Sequence, residues 1–298
     1  MIRPGRREFL SLPQIAQAAL AARGALAGLA GGVMFRPIVT GGGLAGWRML
    51  QATMERQSQA FAQRSDLQNE LRRFESAMGS VRSTEALVGD RAALKVALGS
   101  HDLGEDLNNR FFIKRVLDEG TDTPKSLANR LQDDRYRSFA ERFDPAVLQL
   151  GLAGGDRFKE DVAADYLRVS FEQAVGEVDP DMRLALGVQR LLPGIAQSAT
   201  EDAAWFRVLA NPPVREVIQA ALGLPSQVNG LDIDRQLDLF KSKADQVFGS
   251  RDLTDLTQPD QMDALLTRFF VRRQAAALAS ISPMQAALSL LSSAPRLA

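Results

Sequence analysis

The chain has 298 residues, 45% hydrophobic and 24% charged, the balance of a globular protein rather than a disordered one. Its 36 basic and 36 acidic residues cancel, whereas a nucleic-acid binder usually carries a basic excess to neutralise phosphates. Cysteine is absent and His101 is the one histidine. That excludes disulfides, thiolate or His–His metal sites and a thiol nucleophile, and leaves little room for Ser-His-Asp chemistry.

At the amino terminus, Arg6-Arg7-Glu8-Phe9-Leu10 resembles the R-R-x-F-L core of a twin-arginine export signal. The apolar region that should follow is interrupted by Pro13, Gln14, Gln17 and Arg23. A translation start at Met34 explains residues 1–33 more simply, as a non-native or disordered extension. Residues 34–46 then form a glycine-rich lead-in, in which Gly41, Gly43 and Gly46 fall at the G-x-G-x-x-G spacing of a dinucleotide fingerprint. Such a site needs a strand before the glycines and a second strand whose end holds the ribose. Pro37 breaks the first, and residues 47–78 are helical where the second should be, so no cofactor site is expected.

From Leu44 onward the hydrophobic period is helical, and the chain is predicted to be all-α: a multi-helix orthogonal or bundle-like domain, with two related helical halves. Trp47, Leu50, Met54 and Phe61 recur at three- and four-residue steps, with Gln57 in one slot, over a helix of about 44–63. Ser65 and Gln68 make a capping-box signature for a helix of about 66–78, whose stripe is Leu67, Leu71, Phe74 and Met78. Ser83 or Thr84 caps the next helix, with Leu87, Leu94 and Leu98 inward and Gly99 as its stop. A helix over 103–118 follows, turning Leu103, Leu107, Phe111, Phe112 and Val116 to the core. Thr123-Pro124 opens another. Further helices are expected at about 133–142, 157–175, 180–192, 201–210, 213–222, 232–248, 259–279 and 284–292. Three glycines in "LGLAGGDR" mark a linker at 150–156, dividing a first half (47–149) from a second (157–280), with a short helix and tail over 281–298. The uncharged stretch 274–295 contains Pro283, five serines and two glutamines, too polar and broken to span a membrane.

Three polar groupings are candidate sites. His101 in "GSHDLGED" lies beside Asp102, Glu105 and Asp106, but the spacing matches no calcium loop and no second histidine exists. "DRYRSFAERF" (134–143) interleaves arginine with aromatics, yet Asp133, Asp134 and Glu141 offset the charge, which reads as core plus an ion-paired face. Asp179 and Asp181 suit a helix start better than a catalytic pair. A gapless echo also links "RAALKVALG" (91–99) to "REVIQAALG" (215–223), with Leu94 facing Ile218. Beyond a short insertion, Leu103, Asp106 and Phe112 fall opposite Leu231, Asp234 and Phe240.

The stretch 87–143 resembles a bacterial family of uncharacterised proteins, mostly alphaproteobacterial and commonly encoded in flagellar gene clusters. The matching residues include Asp90, Ala97-Leu98-Gly99, Asp106 to Asn109, Phe112-Ile113, Gly120, Leu127 to Leu131 and Arg135-Tyr136. "MRLALGVQRLL", "PPVREVIQAALGLP" and "LDIDRQLDLFK" extend the likeness over about 35–280. The resemblance implies an α-helical protein of flagellar assembly or function and supports a start at Met34; no active-site residues come with it. The expected protein is therefore cytoplasmic or flagellum-associated and not an enzyme. It has no catalytic, cofactor or metal residues, no nucleic-acid partner and no integral membrane segment. Its partners would be other flagellar or assembly proteins, met through the terminal helices (44–78 and 259–292), with Trp47, Leu50, Met54 and Phe61 as candidate interaction residues. The competing expectation is a small-molecule or catalytic site around 100–109.

Overall fold

The computed structural model describes residues 35–280, apart from residues 40 and 132. The expected extension over 1–33 and the helix at 284–292 lie outside the described residues. Within them the protein is all-α, with no β-strand. In chain order the α-helices are α1 (Gly43–Ala62), α2 (Ser65–Met78), α3 (Thr84–Gly89), α4 (Arg91–Gly99), α5 (Arg110–Glu119), α6 (Leu127–Arg130), α7 (Asp134–Arg142) and α8 (Pro145–Gln149). They continue as α9 (Asp156–Gly176), α10 (Pro180–Ala196), α11 (Glu201–Ala210), α12 (Pro212–Leu222), α13 (Ile233–Phe248), α14 (Leu253–Leu256) and α15 (Pro259–Ser280).

Two compact units result, and the division is not at the 150–156 glycines. Among the described residues, one unit takes in 35–38 with Gln51–Val178; the other takes in Val39–Leu50 with 179–280. The glycine stretch instead lies inside the first unit as a short 3-10 turn, Leu152–Gly154, with Gly151 left-handed. The boundary at Val178 is set by a new helix start. The Asp179 carboxylate accepts from the Asp181 and Met182 backbone N–H groups, and Pro180 occupies the first helical position. Asp179 is thus a cap. Helix α10 then runs through Pro193 to Ala196 rather than ending at 192, leaving the Gln189 carbonyl without its usual donor.

In the first unit, Leu67, Leu71, Phe74 and Met78 of α2 are all buried, as their spacing predicts. Ser65 is not the cap, however: Arg64 precedes the helix, and the Gln68 side chain reaches the Ala62 carbonyl at 2.7 Å. The single helix expected over 84–99 is two, because Asp90 ends α3 and caps α4, accepting from Ala92 and Ala93 N–H at 2.9 Å. Gln57 is buried and clamps the backbone of Ile38, accepting from its N–H at 2.7 Å and donating to its carbonyl at 3.0 Å. The "DRYRSFAERF" segment is α7, with Phe139 and Phe143 fully buried and Arg137 paired with Glu141, so it is core plus an ion-paired face.

The helix expected over 103–118 is broken. Gly104–Asn108 forms a 3-10 turn and α5 starts only at Arg110. Ile113, Val116 and Leu117 define its inward face. Phe111 lies about 200° around the helix from Ile113 and is 82% exposed; Leu107 and Phe112 are half-buried. Thr123-Pro124 forms a turn rather than a helix start, and α6 begins at Leu127, whose N–H donates to the Glu119 carboxylate at 2.6 Å.

In the second unit, α12 packs against both α15 and α10. Trp47, from the first turns of α1, stacks on Phe270 at 5.4 Å, and Trp205 meets Phe240 edge-on while donating its indole N–H to the Arg251 carbonyl. The fingerprint glycines serve this packing. Gly46 is a helical residue on which a Cβ would sit 2.2 Å from the Gly41 carbonyl oxygen and 2.7 Å from the Met182 methyl. The echo survives as local structure: α4 and α12 are each followed by a 3-10 turn and a further helix, and Leu94 and Ile218 are both fully buried.

Candidate functional site

The loop that links α4 to α5 carries the polar cluster around His101. Asp102 is the one non-glycine residue with positive φ (59°) among those described, a conformation that needs support from neighbours. Its carboxylate accepts from Gln173 Nε2 at 2.6 Å, and its carbonyl accepts from Arg135 Nη1 at 2.5 Å. His101 lies edge-on to Phe139 and Phe143, with Nδ1 2.9 Å from Ser100 Oγ. Asp106 accepts from the Tyr136 hydroxyl and from Asn109 Nδ2, both at 2.6 Å. Partial burial, with the Asp106 carboxylate holding its proton, pushes the Tyr136 phenol far above its ordinary range. These groups pin the loop to α7 and α9. Among the described residues no group of three or more His, Asp or Glu side chains could hold a metal ion.

The stripe expected to meet partners is turned inward. Trp47 and Leu50 are fully buried, Phe61 is 2% exposed and Met54 is half-buried. Moreover, Trp47 and Leu50 belong to one unit, while Met54 and Phe61 belong to the other. Phe61 packs edge-on to Phe171 at 5.6 Å. As a free contact surface the stripe is therefore corrected: a long amphipathic helix supplies core before it supplies an interface.

Two other surfaces are open. The first half of α15 buries Met262, Leu265, Leu266, Phe269 and Phe270. After Arg273, which pairs with Glu216 and Asp181, burial stops: Ala275, Ala276, Leu278 and Ala279 are exposed, Leu278 by 70%. The run Ala275–Ala279 is apolar at every position, so no side of that turn suits water. The expectation for the 259–292 helix thus divides, with its first turns in the core and the following ones outside it.

The second surface surrounds Phe111, which sequence periodicity placed in the core. Two grooves lie on either side of the α3–α4 junction. One is lined by Glu70, Arg73, Arg91, Ala92 and Lys95, the other by Glu85, Val88, Gly89, Arg110, Phe111 and Lys114. Glu70 is fixed by two donors, the Tyr166 hydroxyl and Lys95 Nζ. Tyr166 is in turn seated over Gly99, where a Cβ would lie 2.6 Å from its ring. Lys114 bridges Asp118 at 2.5 Å and Glu85 at 3.5 Å; these carboxylates hold its ammonium above the usual lysine range.

Among the described residues no helix is long and apolar enough to cross a membrane. An X-ray structure of a protein from Agrobacterium tumefaciens is similar to this chain at 24% identity with a TM-score of 0.64, covering 80% of this chain and 97% of that one. That likeness is one of fold. No curated protein matches. The model of a family described as a protein of unknown function, DUF1217, matches residues 100–262, more than half of the chain, and the chain belongs to that family.

Proposed function

We propose that the protein is a non-enzymatic, flagellum-associated interaction factor that engages other assembly proteins through the exposed end of α15. The flagellar context comes from the resemblance carried by residues 87–143. The interaction role is supported chiefly by one observation: the apolar turn around Leu278 stands exposed directly after a helix segment that is otherwise core. Exposed apolar runs of this kind mark contact sites more often than free surface. The polar groups of the 101–109 loop, by contrast, are largely engaged with the protein's own helices, which suits a structural hinge better than a reaction centre.

The test is made in the encoding bacterium. Leu278→Ser combined with Ala275→Ser should abolish or sharply reduce swimming and filament formation, with circular dichroism of the purified variant unchanged. Glu105→Gln and Asp106→Asn, made singly, should leave swimming near normal. Loss of swimming from a single carboxylate change in a folded protein, with the α15 variant swimming normally, would overturn the reading in favour of a site in the loop.

A further inference from the structure

The two grooves beside the α3–α4 junction share more than position. Gly89 lines one and Arg91 the other, with Asp90 between them, and Arg91 donates across to the Asn108 side chain at 3.2 Å, two residues before Arg110. Together they form a strip bearing Arg73, Arg91, Lys95, Arg110 and Lys114, with Phe111 82% exposed at one end. Its carboxylates are already committed. Glu70 holds Lys95, Glu85 faces Lys114, and Asp90 caps α4 through the Ala92 and Ala93 N–H groups. Arg73 and Arg110 have no ion-pair partner among the described residues, and Arg91 meets a neutral amide. In a chain of zero net charge this leaves three guanidinium groups unneutralised along the two grooves, with the exposed Phe111 ring beside Arg110 at one end.

We infer that this strip receives an acidic peptide segment of a partner protein, with an apolar anchor against Phe111 and carboxylates on Arg73, Arg91 and Arg110. A guanidinium offers carboxylate a planar, two-bonded fit that an ammonium does not. An exposed aromatic can anchor a contact with little side-chain ordering, and interface energy concentrates in such residues. The same strip fits a nucleic acid less well. Glu70, Glu85 and Asp90 are interleaved with the cations and would repel an unbroken phosphate backbone, while discrete peptide carboxylates can be spaced between them. The inference rests on the reading of the protein as an interaction factor but uses a surface separate from α15.

The probe is a fluorescein-labelled synthetic peptide of glutamates flanking a central Phe-Leu pair, titrated with the full chain and read by anisotropy. Saturable binding that weakens with added salt is expected. Phe111→Ser and the double variant Arg91→Gln/Arg110→Gln should each weaken it about tenfold, the double variant also flattening the salt dependence. A peptide with Gln in place of Glu, and a single-stranded RNA oligomer, should bind more weakly than the acidic peptide. The inference is overturned by no saturable binding below about 1 mM, by unchanged affinity in Phe111→Ser, or by tighter binding of the RNA. Normal swimming of the α15 variant together with peptide capture would sink the α15 surface alone; loss of swimming without peptide capture would sink the strip alone.

Discussion

In α1, Trp47 and Leu50 are wholly enclosed and the Trp47 ring lies against Phe270; in α5, Phe111 stands in solvent while Ile113, Val116 and Leu117 point inward. Both segments carry large apolar side chains at helical spacing. What separates them is continuity. Helix α1 runs unbroken for 20 residues, so its 3.6-residue period keeps Trp47 and Leu50 on one face. The stripe of Leu103, Leu107 and Phe111 needs an unbroken helix across Asn108 and Asn109, and the chain instead makes a 3-10 turn there, with Asn109 at ψ 46°. The stripe dissolves and a different set of residues fixes the inward face.

The largest expected effect falls on the enclosed side of this contrast. Trp47→Ala should lower stability by about 3–5 kcal/mol, measured by urea or thermal unfolding. The Trp47 indole N–H has no hydrogen-bond partner among the described residues, so Trp47→Phe should cost much less. A small loss from Trp47→Ala would mean that α1 is as dispensable as the Phe111 surface.

Next comes the close contact beneath the basic strip. Gly99→Ala would press a methyl against the Tyr166 ring, which the Glu70 bond holds in place. A loss of about 1–3 kcal/mol is expected, as for other overpacking changes. The α3–α4 break is sharpened by Asp90→Ala, which strips two N–H groups of their cap and should cost about 1 kcal/mol; a gain in stability would show that one continuous helix is preferred.

A pH dependence tests the support of the loop that precedes α5. Partial burial pushes the Asp133 carboxyl up, but the Arg135 guanidinium and the Arg135 backbone N–H outweigh it and hold it below the usual carboxylate range. A depressed folded value means stability that is present above about pH 4 and lost as pH falls through the folded value. Asp133→Asn keeps a capping side chain yet removes this proton linkage. Its stability should therefore fall less than that of the unaltered protein between about pH 5 and 3. An identical fall in both would remove Asp133 from the account. At the exposed end of the contrast, Phe111→Ala should change stability by no more than about 0.5 kcal/mol; a loss above about 2 kcal/mol would place Phe111 in a core after all.

The sequence by itself determined the all-α class, most helix bounds, the Leu67–Met78 stripe and the Asp179 cap, because each depends on local period or on a side chain reaching its own backbone. The helices that follow the glycine run at 41–46 were legible in the same way, since helical period is local. Only tertiary structure decided that the unit boundary is at Val178 rather than at the 150–156 glycines, and that Trp47 and Leu50 join the chain from Asp179 onward. Only tertiary structure separated the buried and exposed turns of α15 and brought Arg73, Arg91 and Arg110 to the two grooves beside the α3–α4 junction. Those residues lie on three separate helices, and amphipathic period reports that a face is apolar without reporting whether the protein itself covers it.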